Sequence, residues 1–241
     1  MRSYTRHQLK QNAFAESTAE TISWAVEHRS KLIVGAIIVA IVAAAALGVW
    51  AFVNYRNQQA NSELSGALQK YSAPVRAAGE PATPEMLSYA SSTERAKAAN
   101  ADFTRIADKY SFTRNGRIAR YFAGITLHDL GDNAGAEKQL QDVAGGRDKE
   151  VASLAKLALA SIDQDAGKTQ PAIELYKSLI DNPTTSVGKT TAQFELANLY
   201  EANHQPLEAR KLYEQMQKAD PTGQIGQMAA QKLQTLRPPQ P

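Results

Sequence analysis

The chain has 241 residues, with 27 Lys and Arg against 24 Asp and Glu, a formal net charge of +3 and no cysteine. The lack of Cys excludes disulfides, thiolate chemistry and Cys-based metal sites. Residues 54–241 are nearly charge-balanced and carry no Lys/Arg stripe with interleaved aromatics, so nothing points to nucleic acid as a partner.

The first predicted element is the run from Leu32 to Val53, LIVGAIIVAIVAAAALGVWAFV, with no charge, no Pro and no strongly polar side chain. As a helix it is ~33 Å long, enough to cross a hydrocarbon core of ~30 Å. Lipid offers no partners to backbone N–H and C=O groups, and a helix satisfies them internally. Arg2, Arg6, Lys10, Arg29 and Lys31 precede the run against Glu16, Glu20 and Glu27, while only Arg56 and Lys70 follow closely. The basic excess therefore predicts residues 1–31 as a cytoplasmic segment, 32–53 as a single transmembrane helix, and the remainder on the far side, in a bacterium the periplasm. A cleaved signal peptide is the alternative. Its apolar region would be only ~7–15 residues behind a short basic segment, so an uncleaved anchor fits better.

Trp50 and Tyr55 suit the far membrane interface. Ala36, Ala40, Ala44 and Gly48 recur every fourth residue and form a small-residue stripe, a candidate helix-packing face through which the chain could self-associate. Ahead of the span, Phe14, Thr18, Ile22, Ala25 and Val26 fall on one helical side, suited to the inner membrane face or to a partner.

After the span, Tyr55–Tyr71 continues a helical pattern, and SAPVRAAGEPATP (72–84) reads as a loop. Four stretches then align on Ala99, Ala136, Ala172 and Ala209, roughly one every 36–37 residues. Four residues after each alanine come Phe103, Leu140, Tyr176 and Tyr213; three further on come Ile106, Val143, Leu179 and Met216. A small residue admits a neighbouring helix and the large residue one turn later fills the gap. In the last three units a preceding helix carries another small residue, Gly124, Ala160 or Ala197. The turns LGDNAG (130–135), AGKTQP (166–171) and ANHQPL (202–207) separate the helices. Gly131 and Gly167 suit left-handed helix ends, Pro206 a helix start, and Pro183 and Pro221 the chain beyond the second helices.

This pattern resembles the tetratricopeptide repeat (TPR), an antiparallel helix pair of ~34 residues. The phrase AQFELANLYEANHQPLEARKLYEQMQKADP (192–221) carries the likeness best, through Leu196, Ala197, Tyr200, Ala209, Tyr213 and Pro221. The family's Trp of the first helix is missing, with Arg120, Lys156 and Gln193 in its place. The expected fold is all-α: one N-terminal transmembrane helix, then an α-solenoid over 54–236. Its units fall near 58–110, 117–147, 154–183 and 191–221, with a capping helix at 223–236. RPPQP (237–241) reads as a disordered tail. In this family the first helices line a groove, and the resemblance puts Ile118, Tyr121, Ile125, His128 and Asp129, then Leu154, Leu157, Ser161 and Gln164, then Phe194, Asn198 and Glu201 on it. The mixture suits a peptide or partner helix.

The layout of a short N-terminal segment, one span and a small repeat domain is also similar to the YfgM-like ancillary subunits of the bacterial SecYEG translocon, through AETISWAVEHRSKLIVGAIIVAIV (19–42) followed by the repeats. That likeness implies a single-pass inner-membrane protein whose partners are translocon subunits, translocating chains or periplasmic chaperones. A scaffold for envelope or division complexes is the other reading.

No catalytic constellation emerges, and neither metal nor cofactor is expected. His7, His28, His128 and His204 are far apart. Gly167-Lys168-Thr169 and Gly188-Lys189-Thr190 imitate the end of a phosphate loop, but Ile162 and Pro183 stand where its first Gly belongs.

Overall fold

Small residues set the helix spacing throughout the repeats. Ala99, Ala136, Ala172 and Ala209 have no exposed surface, and the large residues one turn later, Phe103, Leu140, Tyr176 and Tyr213, are buried against the neighbouring helix. The structure, a computed structural model, describes residues 28–77, 79–81, 83 and 86–236. The amphipathic side expected at Phe14–Val26 and the tail 237–241 lie outside the described residues.

Among the described residues the chain is helical with no strand. The elements are α1 (Arg29–Tyr71), α2 (Ser92–Lys109), α3 (Arg114–Asp129), α4 (Asn133–Ala144), α5 (Lys149–Asp165), α6 (Thr169–Asp181), α7 (Lys189–Ala202), α8 (Pro206–Ala219) and α9 (Gln224–Thr235). Two compact units divide the chain, residues 1–55 and 56–241, and α1 contributes to both.

In the first unit, Val39, Ile41, Leu47 and Trp50 are each more than 60% exposed. The most apolar stretch of α1 buries nothing inside the protein, and α1 is the one helix among the described residues long and apolar enough to cross a membrane. Ala36, Ala40, Ala44 and Gly48 are exposed as well.

In the second unit, α1 from Arg56 onward acts as a first helix. Its Ala60, Leu64 and Ala67 are buried against Ala99, Phe103, Ile106 and Tyr110 of the second helix and its cap. The segment between these helices is pinned at its ends, where the Tyr89 amide donates to the Pro74 carbonyl at 3.0 Å and the Arg76 amide to the Tyr89 carbonyl at 2.9 Å. The pairs α3/α4, α5/α6 and α7/α8 follow, each packed within itself and against its successor, and α9 packs on α8 and α7. Helix starts are capped by side chains: Ser91, Thr113, Asp132 and Asp148 accept from the amides of Glu94, Gly116, Gly135 and Val151.

The three turns that close first helices share one hydrogen-bond pattern. The amides of Gly131, Gly167 and His204 donate to the carbonyls of His128, Gln164 and Glu201, and the next amides reach back to Leu127, Asp163 and Tyr200. This is the paired closure of a left-handed helix end. Gly131 and Gly167 have φ of 82° and 71°, and His204, at the equivalent position, takes φ 56° without being glycine. Gly124 answers a different demand: a Cβ there would stand 2.6 Å from Leu140 Cγ.

Candidate functional site

The first helices α3, α5 and α7 carry the residues the sequence places on the groove. Five of these, Tyr121, Ile125, Leu154, Leu157 and Ser161, come together. Tyr121 and Ile125 of α3 and Leu157 of α5 line one depression of about 340 Å3, with Leu154, Ala158 and Ser161 of α5, Tyr176 of α6 and Glu195 of α7 completing it. The floor is apolar because positions one turn apart on α3 and α5 carry aliphatic and aromatic side chains. Tyr121 is fixed edge-on against Phe122, with ring centroids 5.1 Å apart, and burial raises its hydroxyl pKa.

The polar groove positions His128, Asp129 and Gln164 lie outside the depression's lining and are held by hydrogen bonds. His128 holds Nδ1 2.8 Å from Asn133 Oδ1, and its Nε2 lies 3.9 Å from the Asp165 carboxylate. Gln164 accepts from the Tyr176 hydroxyl at 3.5 Å. That hydroxyl is pushed up by burial and then by the negative fields of Glu195 and Asp165. Tyr71 of α1 donates to Asp129 at 2.9 Å, and its own pKa is pushed up to about 12, first by burial and then by this bond.

The remaining groove positions are drawn elsewhere. Phe194 meets Tyr213 edge-on at 5.9 Å. The Tyr213 hydroxyl donates to Glu201 Oε1 at 2.5 Å and lies 2.9 Å from the Asn198 side-chain amide, and Lys232 of α9 reaches both Glu201 oxygens at 3.1 and 3.2 Å. A separate opening of about 300 Å3 lies between Phe194 and the α9 residues Met228, Gln231, Lys232 and Thr235. Thus Phe194 and Glu201 meet the terminal helix and Asn198 meets Tyr213 of α8, while Tyr121, Ile125 and Leu157 line the depression.

Among the repeat positions, Ala160 and Ala197 have no exposed surface and Gly124 is buried, whereas Tyr200 is half-buried and Pro221 exposed. The sequence marks Tyr176 as a repeat residue but places neither it nor Ala158 or Glu195 on the groove. Glu195 is one residue past the groove position Phe194, and a tolerance of one helical step would have included it. A further opening of about 370 Å3, lined in part by Lys149, Ser153, Lys156, Ser178 and Thr184, contains none of the groove residues. Among the described residues no group of three or more His, Cys, Asp or Glu is arranged to hold a metal ion.

Comparison with known proteins places this geometry. No curated protein matches the sequence. Two solved structures are similar in fold: nearly identical TPR-like repeats from Podosopora anserina and a single-substitution variant of them. Each superposes with a TM-score of 0.55 at 16% identity over 74% of this chain, and over 85% and 84% of their own. The family of tetratricopeptide repeat-like domains matches residues 23–237. That match spans most of the sequence, and the chain belongs to the tetratricopeptide repeat-like domain family.

Proposed function

We propose that this protein is a membrane-anchored, non-enzymatic protein-interaction module that acts as an ancillary subunit of the Sec translocon and aids the periplasmic handover of secreted chains. TPR-like repeats are a protein-binding architecture, and the observation that carries the reading is the open apolar depression around Tyr121, Ile125 and Leu157. The exposed apolar run of α1 supports a single-pass anchor in the bacterial inner membrane, with the N-terminus cytoplasmic and residues 54–236 periplasmic. The stripe Ala36, Ala40, Ala44 and Gly48 would then face another helix within the bilayer.

In-cell photo-crosslinking tests this reading. A photoreactive residue at Ala40 is expected to capture translocon subunits, and one at Tyr121 to capture secreted chains or periplasmic chaperones. Adducts only to the protein itself or to envelope-assembly proteins would replace this reading with that of a structural scaffold. Replacing Ala40 by Leu separates the two again: it releases the translocon in the first case and lowers self-association in the second.

A further inference from the structure

We propose that the depression between α3 and α5 takes an apolar peptide segment carrying a lysine or arginine. The inference rests on the interaction reading above and specifies the chemistry of the occupant.

The walls supply the apolar half of the argument. Tyr121, Ile125, Leu154 and Leu157 present aromatic and aliphatic surface to solvent in one concavity. Such a surface gains by covering it with apolar side chains.

Charge supplies the other half. Glu195 lines the depression, and neither Lys nor Arg does. Asp165 sits beside it, 3.9 Å from His128 and close enough for its field to act on the Tyr176 hydroxyl. Several carboxylates elsewhere in the repeats have a basic partner of their own: Glu63 with Arg105 and Lys109, Asp102 with Lys70, Asp148 with Arg114, Glu137 and Asp163 with Lys168, and Glu201 with Lys232. Among the described residues no Lys or Arg pairs with Glu195 or Asp165.

Asp165 is also the last residue of α5, where a carboxylate meets the negative end of the helix dipole. Local helix stability therefore disfavours the charge at that place. A basic side chain from a partner resolves both conflicts. Its aliphatic stem lies along Leu157 and Tyr121 while its charged head is drawn towards Glu195 and Asp165. An arginine gains further from the partly exposed ring of Tyr121. An acidic segment meets like charge over the same floor.

The test uses the full-length protein in zwitterionic-lipid nanodiscs, with empty discs as blank, and fluorescence anisotropy of two labelled peptides. Both contain the same Leu, Ala and Phe; one carries two lysines and the other two glutamates. The lysine peptide is expected to bind ~10-fold more tightly at low salt, with the gap narrowing in high salt. The double substitution Glu195→Gln with Asp165→Asn should bring the two affinities within ~2-fold without lowering helicity or the melting temperature. Leu157→Ser should weaken both peptides. Equal affinities that still depend on Leu157 would overturn the basic occupant and leave the groove standing. An undiminished lysine preference in the double variant would place the basic contact elsewhere and overturn it too. Binding of neither peptide would remove the groove as well.

Discussion

Tyr121, Leu157 and Phe194 occupy one position in three successive first helices, each three residues before the small residue Gly124, Ala160 or Ala197. Tyr121 and Leu157 line an open depression. Phe194 instead lies against Tyr213 and opposite α9, whose Lys232 takes Glu201. Equivalent places in a repeat are thus not equivalent surfaces. What decides is the next element: α5 adds its own apolar side chains to those of α3 in one depression, whereas α9 brings Lys232 onto Glu201 of α7 and sets a smaller opening beside Phe194. The other end is closed by charge. Glu63 of α1 accepts from Lys109 and from the Tyr110 hydroxyl, both at 2.7 Å, and pairs with Arg105.

The sharpest way to break the comparison is to remove Tyr213. It has no exposed surface and joins α7, α8 and α9. Tyr213→Ala should cost about 3–5 kcal/mol, as for other buried aromatics, and Tyr213→Phe about 1–2 kcal/mol, because Glu201 loses its hydroxyl donor. Tyr121→Ala, in the open half, should cost no more than about 1–2 kcal/mol. Urea denaturation of the three variants decides. Equal losses for Tyr121→Ala and Tyr213→Ala would mean the middle is as closed as the end.

Gly124 and Ala160 sharpen the point at a second equivalent position. Gly124→Ala drives a methyl to 2.6 Å from Leu140 Cγ in a buried site. Overpacking of about 1–3 kcal/mol should outweigh the ~1 kcal/mol that Ala gains over Gly in a helix. Ala160→Gly should also destabilise, by about 1 kcal/mol plus its lost contacts. Substitution either way at one repeat position is then unfavourable, as thermal melts of both variants would show. A stabilised Gly124→Ala protein would mean that Leu140 moves aside freely.

The charge-closed end responds to pH. Hydrogen bonds from Lys109, Tyr110 and Arg105, in that order, lower the Glu63 pKa from its ordinary 4.5 to about 2. A lowered carboxylate pKa contributes stability that is complete above about pH 4.5 and is lost as pH falls towards about 2. Lys109 and Arg105 are about half exposed, so the contribution should be about 1–2 kcal/mol rather than the whole shift. Glu63→Gln should remove it at neutral pH and flatten the acid limb between those values. An unchanged acid profile in the variant would show that this end is held by Phe103 and Tyr71 packing alone.

These residues also mark how far the sequence could be read. The fold was legible because two periods coincide: apolar residues at helical spacing, and alanines every 36–37 residues, which only stacked helix pairs satisfy together. Naming Tyr121, Ile125 and Leu157 needed the helical phase together with the family resemblance, which says that first helices line the groove. The use of Asn198 and Glu201 was hidden, because their partners Tyr213 and Lys232 lie on other helices and no local pattern links them. The burial of Ala60, Leu64 and Ala67 was masked in turn by the long apolar run that precedes them on the same helix.

The smallest effect compares three turns of identical wiring. Gly131 and Gly167 take positive φ at no steric cost, whereas His204 holds φ 56° with a Cβ that crowds its own backbone. The turn tolerates it because the His204 amide reaches Glu201, the Gln205 amide reaches Tyr200, and Pro206 starts the next helix. His204→Gly relieves a strain of about 1 kcal/mol and loses part of that gain to a freer unfolded chain. The net expectation is a stabilisation of about 0.5 kcal/mol, read as a small rise in the melting temperature. The reciprocal Gly131→His should lower it, since the same strain is introduced where glycine now avoids it. If His204→Gly lowered stability instead, the imidazole would have to supply contacts that outweigh its backbone strain, and the last turn would differ from the other two in chemistry as well as in sequence.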